Sequence, residues 1–223
     1  MPTAFSWLVR RRVLLVRHGN TGKAAVDAER VLTDKGERQC TNFKIKYADK
    51  LATVKHSFCS PVVRTATTAL LVTGFDSKAV SDLYFGNIIT DAHRTVDRDI
   101  GYAPAGDYLD KHAALYAEPA KRMATMLDDI GSAEVSGNGD VIIVGHALYL
   151  SLLTLEIIKA LDGSTLSPES AVLGQQVVLQ ANVGEVEGFE ISEDGVQFLT
   201  NDAVDEAPST RAQCNDDFVI DNK

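Results

Sequence analysis

Arginine and histidine side chains follow two apolar runs of the chain, at the point where each run ends. Residues 13–16 are all Val or Leu and lead directly into Arg17 and His18. Residues 141–144 are all Val or Ile and are followed by a glycine and His146. A guanidinium offers a rigid fork of donors that matches phosphate oxygens, and a neutral imidazole offers a lone pair near physiological pH. The pattern therefore predicts a functional cluster suited to a phosphate group.

The elements that must position these side chains are strands that end at one edge of a sheet. The apolar runs are typical of short buried strands. Residues 54–58 predict a third such strand, and Pro61 favours the start of a helix over 62–72 because its missing N–H costs nothing in the first turn. Arg64 lies one turn into that helix, so we expect its guanidinium near the edge that carries Arg17. Ligands of open α/β sheets bind at this edge.

The remaining patterns alternate between strand and helix. Thr33 is a predicted N-cap for a helix that extends to about Leu51. Residues 83–108 have no clean period and predict a long irregular region. Further helices are predicted over 107–116, 119–130 and 147–161, and further strands over 79–81, 177–179, 186–191 and 196–199. Strands that alternate with helices predict one α/β domain, over 1–200, with a mostly parallel sheet, followed by an acidic tail at 201–223.

Composition narrows the class of partner. The formal net charge of −9 argues against nucleic acid or an anionic membrane as the main partner. Three cysteines lie far apart without a CxxC pair, which indicates reduced thiols in the cytoplasm and disfavours a disulfide framework or a zinc site; they are Cys40, Cys59 and Cys214. The apolar run after the arginines at 10–12 is too short for a secretory signal.

Three motifs in this order resemble those of the histidine phosphatase superfamily, which is also called phosphoglycerate mutase-like. They are Arg-His-Gly-Asn-Thr at 17–21, Ser-Pro-Val-Val-Arg-Thr at 60–65 and Val-Gly-His at 144–146. Leu-Thr-Asp-Lys-Gly at 32–36 is similar to the start of the first helix in that family. The resemblance spans about 13–200 and implies a three-layer α/β/α sandwich.

The resemblance also implies roles for the clustered side chains. His18 would be the nucleophile that becomes phosphorylated, and Arg17, Arg64 and His146 would form the phosphate pocket. Two arginines and a histidine can hold the three equatorial oxygens of a transferring phosphoryl group without a metal or cofactor. We therefore expect no metal ligands and no cofactor.

The proton donor of the family is usually a Glu, four residues before a Gly and just after the third strand. Asp82 occupies this position relative to Gly86, and Asp91 is a second candidate for the role. The Trp-Glu-Gly that follows in the family is absent, since residues 87–89 are Asn-Ile-Ile. We predict that Asp82 donates the proton to the leaving oxygen.

Other contacts to the substrate are expected from the loop after the nucleophile. Many members of the family carry an Asn six residues past the nucleophile, where this chain has Ala24. Lys23 is the predicted substitute for that contact. Asn20 and Thr21, which complete the first motif, are predicted to bind the substrate as well.

Particular residues separate the branches of the family. The acid phosphatase and phytase branch has Arg where Thr21 stands and Asp where Ala147 follows His146. Phosphoglycerate mutases carry an Arg and a His in the stretch that corresponds to 82–86, and both are absent here. We therefore predict a phosphomonoesterase that hydrolyses a phosphorylated small molecule or phosphoprotein through a covalent phosphohistidine. The alternatives are a mutase-type phosphotransferase and a non-catalytic phosphate-binding domain.

Overall fold

A central sheet of six strands organises the computed structural model, which describes residues 4–201. In chain order the strands are β1 (Val13–Arg17), β2 (Val54–Cys59), β3 (Lys78–Ala79), β4 (Asp140–Gly145), β5 (Gly188–Ser192) and β6 (Gly195–Leu199). Their order across the sheet is β3-β2-β4-β1-β5-β6. The first four strands are parallel, whereas β5 pairs antiparallel with both β1 and β6. The predicted mostly parallel sheet is confirmed.

Helices connect and cover these strands. Within the described residues they are α1 (Asp34–Lys46), α2 (Ala48–Leu51), α3 (Val63–Thr73), α4 (Asp91–Ile100), α5 (Ala105–Glu134), α6 (Ala147–Leu161) and α7 (Pro168–Gln180). Thr33 caps α1 as predicted, since its hydroxyl oxygen accepts a hydrogen bond from the Gly36 N–H at 3.2 Å. No helix among the described residues is long and apolar enough to cross a membrane.

The two faces of the sheet bury two separate apolar cores. Leu14 and Val16 belong to a core shared with α1 and α3. Val13 and Leu15 belong to a larger core shared with α5, α6 and α7. Successive side chains of a strand point to opposite faces, so a fully apolar strand such as β1 needs helices on both sides. The result is the expected three-layer α/β/α sandwich.

Strand pairing brings the polar ends of β1, β2 and β4 to one edge. Arg17 lies opposite Gly145 in the register of β1 and β4. The His18 N–H continues this pairing by donating to the Gly145 carbonyl at 3.1 Å, and the Ser60 N–H donates to the Val144 carbonyl at 3.1 Å. The three sequence motifs therefore meet at the carboxyl edge of the sheet.

The turn after His18 passes very close to the start of α1. A Cβ on Gly36 would lie 2.2 Å from the Asn20 carbonyl oxygen, and one on Gly19 would lie 2.9 Å from the Gly36 carbonyl oxygen. Only glycine fits at these two positions without a backbone shift. The Thr33 N–H also donates to the Asn20 carbonyl at 3.0 Å. The backbone next to His18 is thereby held against α1.

Two regions were predicted with the wrong secondary structure. Residues 177–179, predicted as a strand, lie in α7, where Ser167 caps the first turn and Pro168 occupies it. The β-branched side chains suggested a strand, but packing of this segment on α6 and β6 overrides that weak preference. The predicted irregular region 83–108 contains the amphipathic helix α4.

The helices predicted over 107–116 and 119–130 lie within α5, which runs through Pro119 and is kinked at His112, where the backbone angles are not helical. Proline lacks the N–H that would bond to the carbonyl of Leu115. That carbonyl instead accepts from Nε2 of His93 at 2.9 Å. The His93 ring carries its hydrogen on Nε2 because Nδ1 accepts from the Thr90 N–H. The predicted tail at 201–223 lies, from residue 202 onward, outside the described residues.

Candidate active site

A cavity opens at the carboxyl ends of β1 and β4. It encloses about 60 Å³ that a water molecule can reach, and Arg17, His18, Arg64 and His146 all line it. This space holds a handful of waters, or a group of about the size of a phosphoryl group. The structure thus brings together four side chains that the sequence singled out, and Asp27 and Arg30 join them.

His18 is buried and has a defined tautomer. Its Nδ1 lies 2.8 Å from the Gly19 carbonyl oxygen, which can only accept a hydrogen bond. In the neutral ring Nδ1 therefore carries the hydrogen, and Nε2 carries the lone pair. The ring is 5 % exposed, and its centroid lies 5.2 Å from that of His146. Nε2 is the nitrogen that can attack an electrophile.

Arg64 is held by Asp27 at two points. Nη1 donates to the Asp27 carbonyl at 2.5 Å, and Nη2 donates to Oδ2 of the same residue at 2.7 Å. The Nε of Arg64 is buried without a hydrogen-bond partner among the described residues. An anionic ligand that supplied an oxygen to this N–H would offset the cost of burying it.

Arg17 is fixed by the segment that follows α7. Its Nη1 donates to the Val183 carbonyl at 3.0 Å, and its guanidinium carbon lies 5.0 Å from the centroid of the Tyr102 ring. The hydroxyl of Tyr102 donates to the same Val183 carbonyl. A guanidinium that stacks on a ring and bonds to the backbone keeps one orientation toward the cavity.

His146 is neutral in this site. Burial lowers its pKa well below the ordinary value, and the neighbouring His18 ring together with the positive charges of Arg64, Arg17 and Arg30 lowers it further. Its Nε2 lies 3.0 Å from the hydroxyl oxygen of Ser60. A neutral imidazole can offer one N–H to a phosphate oxygen without adding another positive charge to the pocket.

We expect the stability of the protein to fall in acid partly because of His146. The unfolded chain binds this proton near the ordinary pKa of about 6.5, whereas the folded protein resists it. The contribution of neutral His146 to the free energy of unfolding is therefore full above pH 6.5. It is lost as the pH falls below this value, by at most about 2 kcal/mol at pH 5. Urea midpoints of the wild type and of His146→Gln at pH 7.5 and pH 5 should show a smaller acid loss in the variant. An equal loss in both proteins would contradict a neutral His146.

The sequence profile of the histidine phosphatase superfamily (branch 1) matches residues 13–166. The chain belongs to this superfamily. The match runs from β1 through α6 and so includes Arg17, His18, Arg64 and His146, which confirms the family resemblance of the three motifs. No curated protein matches the chain in sequence.

Solved structures of several phosphatases have a similar fold. Mycobacterial glucosyl-3-phosphoglycerate phosphatase gives a TM-score of 0.54 at 15 % identity, covering 86 % of this chain and 98 % of that one. A phosphoserine phosphatase mutant from Entamoeba histolytica, in complex with phosphoserine, gives 0.53 at 15 % identity, with the same coverage. The protein histidine phosphatase SixA, complexed with tungstate, gives 0.51 at 13 % identity, covering 85 % and 97 %. These likenesses concern the fold alone.

Two carboxylates are candidates for the proton donor in this member of the histidine phosphatase superfamily. Asp82, the predicted donor, lies in a 3-10 turn over Ser81–Leu83 and is not among the described residues that line the cavity. Its Oδ2 accepts from Nη2 and Nε of Arg122 at 3.2 and 3.3 Å. Asp27 does line the cavity, and its Oδ2 also accepts from the Tyr84 hydroxyl at 3.1 Å. Asp91 lies at the exposed start of α4. The donor role of Asp82 stays a prediction.

The other predicted substrate ligands lie around the turn after His18, outside the cavity lining. The Asn20 amide donates to Oε1 of Glu185 at 2.6 Å and its Oδ1 accepts from the Thr33 hydroxyl at 2.6 Å. Thr21 forms a β-bridge with Leu32, and Lys23 is exposed. Their contact with substrate stays a prediction.

Sequence reasoning missed Asp27 and Arg30, which lie in a stretch without hydrophobic periodicity. Asp27 sits in a 3-10 turn over Asp27–Glu29, and Arg30 follows it directly. Arg30 donates from Nε to the Gly22 carbonyl at 3.0 Å and from Nη1 to Oδ1 of Asp27 at 3.4 Å. The loop between β1 and α1 therefore folds its charged residues back into the cavity.

Proposed function

We propose that the protein is a phosphomonoesterase that works through a covalent phosphohistidine on His18. The observation that carries this proposal is the hydrogen bond from Nδ1 of His18 to the Gly19 carbonyl, which points to Nε2 as the attacking atom. This nitrogen belongs to a cavity that three guanidinium groups line: those of Arg17, Arg30 and Arg64. A nucleophile beside fixed positive charge suits phosphoryl transfer.

The reaction would proceed in two displacements. In the first, Nε2 of His18 forms a bond to phosphorus while the bond to the ester oxygen breaks, and that oxygen takes a proton from a carboxylic acid. In the second, water attacks the phosphohistidine, the nitrogen–phosphorus bond breaks, and the water gives a proton back to the carboxylate. Phosphate and alcohol are released, and His18 regains its lone pair.

The charges of the cavity match a phosphate rather than a neutral ligand. Because the whole chain carries −9, an anionic substrate is attracted only by local charge. Asp27 offsets part of the positive charge through its contacts with Arg64 and Arg30. A dianionic phosphoryl group would compensate the remainder, which reduces the cost of burying the guanidinium groups.

The thiol of Cys59 is the competing nucleophile at this edge. It ends β2, directly before Ser60, but burial raises its pKa to about 11. A thiol with so high a pKa is protonated at neutral pH and is a weak nucleophile. Cys40 is also buried, with its pKa raised to about 11, and neither thiol forms a disulfide. Free buried thiols support the proposed cytoplasmic location.

The names of the similar structures support a phosphorylated substrate, which is a small molecule for the phosphoserine and glucosyl-3-phosphoglycerate phosphatases and a protein for SixA. The cavity of about 60 Å³ is lined by charged groups that can hold the phosphoryl group and by aromatic side chains that the rest of a substrate can contact. This arrangement suits either a phosphorylated small molecule or a phosphoprotein.

We expect hydrolysis of p-nitrophenyl phosphate that survives EDTA within about twofold, because guanidinium groups supply the charge that a metal would otherwise provide. Vanadate, which mimics a five-coordinate phosphorus, should inhibit competitively. Initial rates with and without each reagent measure both effects. Loss of activity on chelation that a divalent cation restores would refute the metal-free mechanism. Binding of vanadate without any turnover would indicate the non-catalytic alternative.

A further inference from the structure

The cavity is lined by two chemically different sets of side chains. One set comprises the guanidinium groups, the imidazoles and Asp27 described above. The other set comprises four aromatic rings and two apolar side chains: Phe85, Tyr102, Tyr108, Tyr149, Ala103 and Leu148. We call these six residues the aromatic wall. A phosphoryl group bound among the guanidinium groups would place its ester oxygen and leaving group next to this wall.

The tyrosines of the aromatic wall use their hydroxyl groups in hydrogen bonds within the protein. Tyr102 donates to the Val183 carbonyl and Tyr108 donates to the Gly101 carbonyl. Tyr149 donates to Oδ2 of Asp97, at 3.2 Å. Each hydroxyl hydrogen is therefore used inside the protein. The surface that these side chains present to a ligand is ring carbon.

The rings are also held rigidly. Phe85 stacks on Tyr149 with centroids 5.5 Å apart and an interplanar angle of 13°. Its ring meets that of His146 edge to face, with centroids 5.0 Å apart. Asp97 is fully buried in the large core and accepts from both Tyr149 and Tyr116. The aromatic wall is thus a preformed surface beside the reacting histidines, and a ligand would not pay to order it.

A polar leaving group would lose hydrogen bonds on this surface. Buried hydroxyl, ammonium or carboxylate groups need partners, and those left unpaired cost free energy. Among the described residues of the aromatic wall, none offers a charged group. A flat apolar group instead gains both burial and ring–ring contact. The added ring would lie against Phe85 and Tyr102, the two rings of the aromatic wall that are half-buried rather than buried.

We infer that the site prefers phosphomonoesters whose aromatic ring lies one or two bonds from the ester oxygen, namely aryl and arylmethyl phosphates. This inference rests on the proposed phosphatase function, since it assigns the substrate class of the same site. It concerns the leaving group, whereas the phosphohistidine mechanism concerns the phosphoryl group, so the two can fail separately.

The test compares esters and phosphonates that differ only in the ring. Benzyl phosphate and ethyl phosphate release alcohols of similar acidity, so the chemical step does not by itself favour either. We expect kcat/KM to be about tenfold or more higher for the benzyl ester. By calorimetry, phenylphosphonate should bind about tenfold more tightly than methylphosphonate, whether or not turnover occurs.

Two phenylalanine variants provide the matched comparison. Phe85→Leu keeps an apolar side chain but removes the ring. It should reduce both the benzyl-to-ethyl ratio of kcat/KM and the phenylphosphonate-to-methylphosphonate ratio of affinities by about threefold or more. Phe75→Leu changes a partly exposed phenylalanine outside the cavity lining and should leave both ratios unchanged.

Ratios near one in the wild type, or ratios that Phe85→Leu does not lower, would overturn the substrate class while leaving the phosphatase proposal intact. Tighter binding of phenylphosphonate without hydrolysis of either ester would support the ring preference and overturn the phosphatase. Failure of both phosphonates to bind would overturn both proposals.

Discussion

His18→Ala should abolish turnover and remove the phosphoenzyme that the proposed mechanism predicts for the wild type. The variant lacks Nε2, the nitrogen that the bond to Gly19 leaves with a lone pair. Loss of a covalent nucleophile leaves only the residual catalysis of binding and charge, so we expect a decrease in kcat of about 10⁴-fold or more. Acid quench with radiolabelled substrate would destroy the label on a phosphohistidine, whereas alkaline quench should preserve it.

His146→Gln is the matched control for this result. It alters the neighbouring imidazole, whose centroid lies 5.2 Å from that of His18, but keeps the nucleophile. We expect slower labelling that still occurs on His18. A stable label on the His18→Ala protein would show that another residue is the nucleophile. Labelling that is lost in His146→Gln and kept in His18→Ala would exchange the two roles.

Asp82→Asn should slow the hydrolysis of an alkyl phosphate by about 10²–10⁴-fold and that of p-nitrophenyl phosphate much less. An alkoxide needs a proton as it leaves, whereas a nitrophenolate leaves readily without one. Asp82 lies in the turn that precedes Phe85, and Phe85 lines the cavity. Its partner Arg122 is nearly half exposed, so their ion pair is screened and can be exchanged for another contact.

Asp27→Asn distinguishes proton donation from positioning. The Asp27 carboxylate holds Nη2 of Arg64. The variant loses this ion pair but keeps the main-chain carbonyl that holds Nη1, so it should slow the hydrolysis of both substrates alike, by about 10- to 100-fold. Asp27→Asn and Asp82→Asn are both nearly isosteric with the wild type, and each changes a single carboxyl group. A leaving-group-dependent loss in Asp27→Asn, with no such dependence in Asp82→Asn, would assign the acid to Asp27.

The strands that carry the site could be predicted because their sequences leave little choice. Residues 13–16 and 141–144 are apolar on both faces, which only a strand covered by helices on both sides accommodates. A short polar motif after such a strand must lie at the carboxyl edge of the sheet. That is why Arg17, His18, Arg64 and His146 could be placed together before the fold was known.

The features that could not be predicted from the sequence depend on contacts between residues that are far apart in the chain. Asp27 and Arg30 enter the cavity because Arg64, on another helix, binds Asp27. The helix α5 continues through Pro119 because His93, on α4, bonds to the carbonyl that the proline leaves without a partner. Neither contact has a local signature. The aromatic wall likewise combines rings from three separate segments of the chain.

Because β1 pairs with β4, the ribosome makes β1 well before it makes the strand with which β1 pairs. Val13 pairs with Val141, so the first strand leaves the ribosome long before its neighbour exists. At typical translation speeds the delay is roughly 10 s, during which an apolar strand has neither of its final hydrogen-bonding partners. Nascent β1 is thus exposed to wrong pairing and to chaperones. The histidines at its end and at the end of β4 meet only when most of the chain has been made, so an incomplete product has no pocket that could act on cellular phosphates.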